Sequence, residues 1–384
     1  MIHRFFGELL LAFLAKEICS TSMLVDAKTR LNASTNGERV YNVSPTETEE
    51  DMEEESEELP LTSKVVYGVV IPAMAVVCII GNILTILSFV QDRKLQTVHN
   101  TYLMSLAVSD LLIGCISMPF YAVYTLMDDT WPFGVEFCKI FMCIDFLACL
   151  DSVFTIMLVS YDRCMLLLQG ASYSIKQTSR AAKIRIMISW FIAFLMYVPA
   201  IVFWDVVRGY SVVEEEDCDV EFYDDFIFIM ATSVVEFLIP LATITSLNIF
   251  LYTLILKRAR EAPGNKMADK LGKLDGDKDK RNMIKRERKA ARSLAILVSV
   301  FTVCWMPYTV CTVIVAFCDG CVPADLYEAF NWLLWGNSTL NPFLYAFTSN
   351  QFQINFIRLL GLKKLCFSSK RVAPKEMKSD SLPD

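Results

Sequence analysis

The chain has 384 residues, 54% hydrophobic and 21% charged, with a formal net charge of −7. That apolar share exceeds that of an ordinary soluble domain. With only two histidines, His3 and His99, and no nucleophile–base pair or metal-ligand set, the pattern speaks against an enzyme. The charge averages segments of opposite sign and points to no nucleic-acid partner.

Residues 1–64 read as a tail ahead of the first apolar block. His3 and Arg4 followed by an apolar stretch to Ala15 form a candidate signal peptide over 1–20. Glu8 interrupts it, and no clean small-x-small cleavage site follows. Glu47–Glu58 is almost wholly acidic and should be solvated. Asn32-Ala-Ser and Asn42-Val-Ser are glycosylation acceptors, the second weakened by Pro45; Asn337-Ser-Thr fits the pattern but lies inside an apolar block.

Seven blocks then follow, each near the roughly 20 apolar residues that cross a bilayer. They are Val65–Val90, Tyr102–Leu126, Phe137–Leu168, Ile184–Trp204, Phe226–Leu256, Ser293–Phe317 and Leu326–Phe347. Backbone groups in lipid must bond within their own segment, so the blocks should be helices. The expected fold is an all-α membrane protein with a seven-transmembrane-helix bundle over residues 65–349. Arg93 and Lys94 lie in the first connection, Lys176, Arg180, Lys183 and Arg185 around the third, and the fifth (257–288) is densely basic. Glu214–Asp217 make the fourth acidic. Basic connections belong on the cytoplasmic side, which puts the N-terminus outside a multi-pass plasma-membrane protein. In 350–384, Phe352, Phe356 and Leu360 mark one face of a short amphipathic helix along the inner membrane surface, with Gly361 as its stop. Cys366 beyond it is a palmitoylation candidate.

Thirteen cysteines are an odd number, and most lie inside blocks as small core residues. Cys138 starts the third block and Cys218 sits in the acidic connection; a bond between them would tie that loop to the bundle. Cys318 and Cys321 could close a small loop. Metal binding is the rival reading, with no histidine near either pair.

The blocks bury Asp110, Asp145, Asp151 and Glu236, with no deep Lys or Arg to match them. Each costs about 2.5–3.5 kcal/mol on insertion scales, so such residues are functional by default. The excess invites a mobile cation: a ligand ammonium, sodium or a proton. For Asp151 the blander reading, bonding to polar neighbours, is preferred. Asp145 lies seven residues after Cys138, about 10 Å along the helix, and Arg163 eighteen residues further, about 27 Å. An anion near one mouth and a cation at the other edge suit a signalling rod better than a pore. An amine transporter is the rival of another class, but matching internal repeats are absent from the sequence.

Asp162-Arg163-Cys164, Gly81-Asn82, Leu106-Ala107-Val108-Ser109-Asp110, Trp190, Phe301-Thr302-Val303-Cys304-Trp305-Met306-Pro307-Tyr308 and Asn341-Pro342-Phe343-Leu344-Tyr345 each fall in their own block. Together they resemble the marks of rhodopsin-like G-protein-coupled receptors. Asp145 stands at the amine-binding aspartate of the aminergic branch. Glu236, four residues before Pro240, resembles the third and fourth histamine receptor subtypes, as do Ala231–Phe237 and Trp332–Trp335. The resemblance implies a histamine or related amine site lined by Asp145, Phe146, Cys149, Glu236, Trp305, Tyr308, Thr309, Trp332 and Trp335. It implies a sodium site, an allosteric ion rather than a cofactor, at Asp110, Ser152, Asn337 and Ser338. It implies a switch in which Arg163 pairs with Asp162 and Glu287 while Pro240, Phe301, Asn341, Pro342 and Tyr345 repack. The partners implied are a heterotrimeric Gi/o protein, arrestin, a receptor kinase and membrane lipid. The chain departs from those subtypes at Phe146 (tyrosine there), Asn331 (phenylalanine there), Asp151 and a short fifth connection.

Overall fold

An amide that enters lipid has no water to bond, and the chain answers with helices throughout its apolar blocks. The computed structural model describes residues 65–361 except 215, 224, 262–273 and 319, and leaves out the side chains of 171, 174, 258–261, 274–288, 290 and 291. Asn32, Asn42, Cys366, the candidate signal peptide, the C-terminal tail and the side chain of Glu287 therefore lie outside the described residues.

Among the described residues seven helices are long enough to span. They are α1 Val66–Gln91, α2 Val98–Leu126, α3 Val135–Gln169, α4 Ser179–Arg208 and α5 Phe226–Lys257, then α6 Leu274–Phe317 and α7 Ala324–Thr348. Short α8, Asn350–Leu359, follows. The expected block in α6 begins at Ser293, but the helix starts at Leu274. Hydropathy sees only the apolar part of a helix, and the Lys, Arg, Glu, Ala and Met of 277–292 are good helix formers that extend it.

Six helices carry a window apolar enough to cross a membrane by composition; α7 does not. At 25 residues it is long enough, about 37 Å. Its hydropathy is diluted by Asn337, Ser338, Thr339 and Asn341, all buried against other helices. The molecule is polar inside and apolar outside: Val69, Ile80, Phe191, Phe203 and Ile227 are exposed, while Asn82, Asp110, Asp151 and Asn341 are fully buried. An apolar girdle of that kind suits lipid, not water.

Proline sets local aim. Five-residue π turns at Val66–Val70, Ile113–Ser117 and Val234–Leu238 come just before Pro72, Pro119 and Pro240. A proline lacks the N–H and crowds the preceding turn, so the backbone widens there. One approach is close: a Cβ on Gly81 would stand 2.8 Å from Pro342 Cγ, so α1 and α7 meet only because residue 81 is glycine.

Asp151 ties three helices. It accepts hydrogen bonds from Ser109 (2.8 Å) and Ser105 (3.4 Å) of α2, Thr155 (3.4 Å) of its own α3 and Ser189 (2.6 Å) of α4. Trp190 Nε1 donates to Ser105. Hydroxyls on three helices thus satisfy the carboxyl, as its preferred reading expects.

The Cys138–Cys218 and Cys318–Cys321 disulfides are both formed. They lie at one end of the bundle, here called the disulfide end; Arg163 marks the other. At the Arg163 end, α8 buries Phe352 and Asn355, and Gly361 takes a positive φ of 71° just past it. Leu360, just past the end of the helix at Leu359, is half exposed, as are residues that would face lipid. Asn355 and Gln351 amides donate to Asp92 in the first connection. Those bonds hold the Asp92 carboxyl down at about 2.

Candidate functional site

Asp145 sits on α3 two turns below the disulfide. Trp335 Nε1 of α7 donates to its Oδ1 at 3.0 Å, and Cys149 Sγ, one turn further, stands 3.9 Å from the same oxygen. Tyr121 of α2 packs edge-on to Trp335 with ring centroids 5.1 Å apart. No Lys, Arg or His lies within ion-pair distance of Asp145 among the described residues. A carboxylate held by one indole and faced by aromatic rings is a site for an ammonium.

Glu236 stands on the π turn of α5. Tyr197 of α4 donates its hydroxyl to Glu236 Oε2 at 2.6 Å. Phe146, next to Asp145, lies against the Tyr197 ring at 4.7 Å and so braces the tyrosine that holds Glu236. Cys149 and Tyr308 each lie within electrostatic range of both Asp145 and Glu236. Asp145 and Glu236 also lie within electrostatic range of each other, so the two carboxylates act on one region of the bundle, beside Cys149 and Tyr308.

The other expected lining residues divide. Trp305 is buried with no hydrogen-bond partner for Nε1 among the described residues and packs, tilted, against Phe301 at 5.3 Å. Tyr308 packs on Tyr327 at 5.1 Å. The Thr309 hydroxyl donates to the Trp305 carbonyl of its own helix. Trp332 donates its Nε1 to Glu328 at 3.4 Å, and its ring meets the Asp145 site through Trp335 at 5.1 Å and Tyr121 at 5.6 Å. Trp332 and Trp335 share a helix face, but three residues of rise, about 4.5 Å, put them at different depths.

Deeper in the bundle, Asn341 Nδ2 donates to Asp110 Oδ2 at 2.9 Å, and Asn82 Nδ2 to the Ser338 carbonyl at 3.2 Å. Oxygens of Asp110, Asn82, Asn337 and Asn341 are buried without a hydrogen-bond partner. Such an oxygen set fits a hard cation. The Ser152 hydroxyl instead donates to the Ala148 carbonyl at 2.8 Å, within its own helix.

At the Arg163 end Asp162 and Arg163 make no direct ion pair among the described residues, though the two charges lie within electrostatic range of each other. Asp162 accepts from Tyr173 at 3.1 Å and Gln177 at 3.5 Å, and His99 Nδ1 stands 3.9 Å away. Neighbours on a helix point about 100° apart, which turns Asp162 toward the third connection and Arg163 into the bundle. Arg163 lines a cavity of about 310 Å³ with His99, Lys289, Leu297, Tyr345 and Asn350. Pro240 sits just past the π turn of α5, and Pro342 against Gly81.

Three residues escaped sequence reasoning: Tyr197, Tyr121 and Glu328. The first two look like packing aromatics in apolar blocks. Glu328 is one acid at a block edge.

Residues 81–345 match the seven-transmembrane receptor family of rhodopsin type. The chain belongs to that family. Its membrane-spanning helices and its receptor, rather than enzyme, character follow from that membership. The chain is 28% identical to the histamine H4 receptor of Homo sapiens over 375 residues, covering 80% of this chain and 94% of the relative. It is 28% identical to the Rattus norvegicus histamine H4 receptor over 374 residues, covering 80% and 95%. It is 25% identical to the Homo sapiens muscarinic acetylcholine receptor M1 over 417 residues, covering 79% and 90%.

Proposed function

We propose that this receptor binds a small cationic amine, histamine before others, and signals through a Gi/o protein to lower cAMP. The observation that carries the reading is the pair of carboxylates, Asp145 and Glu236, within electrostatic range of each other, one held by an indole and one by a tyrosine, with no Lys, Arg or His at ion-pair distance among the described residues. The ammonium of histamine pairs with Asp145. Its ring N–H bonds to Glu236, whose Oε2 is already taken by Tyr197, so the other oxygen receives the ligand.

The disulfide end faces outward in this reading. Disulfides persist on the oxidising side, and the basic connections belong inside. The N-terminal tail (1–64) is then extracellular and residues 350–384 cytoplasmic. The cavity at Arg163 receives the G protein, and arrestin and a receptor kinase act on the same face. Sodium at Asp110, Ser152, Asn337 and Ser338 holds the resting state; the unpartnered oxygens of Asp110 and Asn337 support it. Ligand binding shifts the balance only by its differential affinity for the two states.

The test is expression of the full chain and a screen of biogenic amines for lowering of cAMP. Histamine should lower it. Surface-expressed receptor that answers no amine overturns the reading. A second reading, acetylcholine, rests on the resemblance to the muscarinic receptor. Acetylcholine has no ring nitrogen for Glu236, so Glu236→Gln should weaken histamine and leave acetylcholine unchanged.

A further inference from the structure

The two disulfides differ in kind. Cys138 and Cys218 are buried, 5% and 7% exposed, and their bond spans a sequence separation of 80. Cys318 and Cys321 have a sequence separation of 3, and Cys321 is exposed. A cross-link constrains the unfolded chain more the longer the loop it closes. The first bond is therefore a staple, and the second constrains little beyond its own turn. That turn lies between α6, which ends at Phe317, and α7, which begins at Ala324. The Cys321 N–H donates to the Cys318 carbonyl at 3.3 Å, and Gly320 supplies the positive φ of 72°.

The turn caps the α6–α7 contacts beside the amine site. The Thr312 and Tyr327 hydroxyls meet at 3.1 Å, and the Tyr327 ring packs on Tyr308 at 5.1 Å. Tyr308 lies within electrostatic range of Asp145 and Glu236. Phe317 packs edge-on against Phe226 of α5 at 5.0 Å. Opening the turn removes the covalent tie above these contacts and leaves the contacts themselves. Amine binding is then loosened rather than lost.

A Cys-x-x-Cys pair with one sulfur open to solvent suits thiol exchange, which needs access for the attacking thiolate. We propose that Cys318–Cys321 is a thiol-exchange site through which small-molecule thiols at the outer face lower the receptor's affinity for its amine. The thiolate of one small thiol attacks Cys321 Sγ; the S–S bond breaks and Cys318 leaves as thiolate. A second small thiolate attacks the small-thiol sulfur of that mixed disulfide and releases Cys321 as thiolate. The receptor gains two electrons and two protons, both from the two thiols, which leave joined as their own disulfide. The buried Cys138–Cys218 bond is shielded from this attack. The effect on affinity rests on the amine reading of Asp145; the exchange does not.

The test uses the full chain in nanodiscs with reduced glutathione as the probe. In one set of samples free thiols are capped first, glutathione is titrated in, and new thiols are tagged with a heavy maleimide for peptide mass spectrometry. Cys318 and Cys321 should be tagged together, at glutathione concentrations at least about tenfold below those that open Cys138–Cys218. In uncapped samples the amine concentration that raises the melting temperature half-maximally should increase about threefold or more after that mild reduction. The Cys318→Ser/Cys321→Ser double variant should show the raised value from the start and no further response to glutathione. Tagging of Cys138 and Cys218 first, or of all four together, overturns the exchange site. Unchanged amine affinity in both the reduced protein and the double variant overturns the control of affinity. If no amine stabilises the untreated protein, the amine reading and the control of affinity fall together, and the tagging order alone decides the exchange site.

Discussion

At the disulfide end, Asp145, Glu236 and Glu328 meet indoles and hydroxyls but no cation among the described residues. At the other end Arg163 lines a cavity with Lys289 and His99, and no carboxylate is among that cavity's lining residues. Buried charges are elsewhere matched inside the protein, as Asp151 is by four hydroxyls on three helices. The contrast separates acids that hold the bundle together from charges left for something to arrive. The two ends thus differ in the sign of their charges among the described residues, with α3 running between them.

The largest effect should come from Asp145→Asn. Losing one partner of a buried charge pair costs about 2–5 kcal/mol, so amine affinity should fall about 100-fold or more in radioligand binding. A loss under threefold would detach the amine from Asp145. Arg163→Gln should do the converse, keeping amine affinity and removing stimulated nucleotide exchange on the G protein. If both variants lost binding alike, the two ends would not be separable in this way.

Next is the Glu236 side. Glu236→Gln should weaken an imidazole-bearing amine by about tenfold, the scale of one charge-assisted hydrogen bond. Tyr197→Phe should cost about threefold, since it loosens the carboxylate without removing it. A Tyr197→Phe loss exceeding that of Glu236→Gln, read in the same binding assay, would place the tyrosine itself on the ligand.

Smaller still is a pH effect at the mouth. Asp219, beside Cys218, is open to solvent on one side but hemmed in by protein, and burial pushes its carboxyl up to about 6. Below that pH it is neutral in the folded protein; above it the mouth gains a negative charge. The association rate of a cationic amine should therefore rise as pH climbs through about 6, and Asp219→Asn should remove that component of the slope. Stopped-flow binding from pH 5 to pH 7.5 reads it, and an identical slope in the variant would discard Asp219 as its source.

The smallest effect belongs to Asp92. Its carboxyl is held down at about 2, so its bonds to α8 persist above the ordinary carboxylate range and are lost only as pH falls toward 2. Asp92→Ala should speed hydrogen exchange in Asn350–Leu359 and leave amine binding untouched. Unchanged exchange would show that Phe352 alone docks the helix.

The bundle was legible because lipid allows so few answers. Apolar length gave each span, and even α7, whose polar face lowers its hydropathy, stood out by the residues around Pro342. The four acids within the spans were legible for the same reason: a charge in lipid is conspicuous in any reading. Their partners were not. Whether an acid meets a hydroxyl, an indole or nothing depends on helix rotation and depth, and these are set by contacts between segments far apart in the chain. Asp162 beside Arg163 looked like a pair because the two are adjacent; a helix points them apart. Trp332 and Trp335 looked like one wall because they share a face; their depths assign them to different carboxylates. Tyr197 carried no signal, being one more aromatic among the apolar residues of α4.

The π turn before Pro240 inserts an extra residue without lengthening the fold. Counting back from the proline with ordinary helical periodicity misaims Glu236 by about one residue, some 100° of rotation. A single deletion within Val234–Leu238 would thus leave a sound α-helix turning a different side chain toward Tyr197. In this architecture the cheapest route to a new chemical preference is a change of register in which no lining residue is substituted.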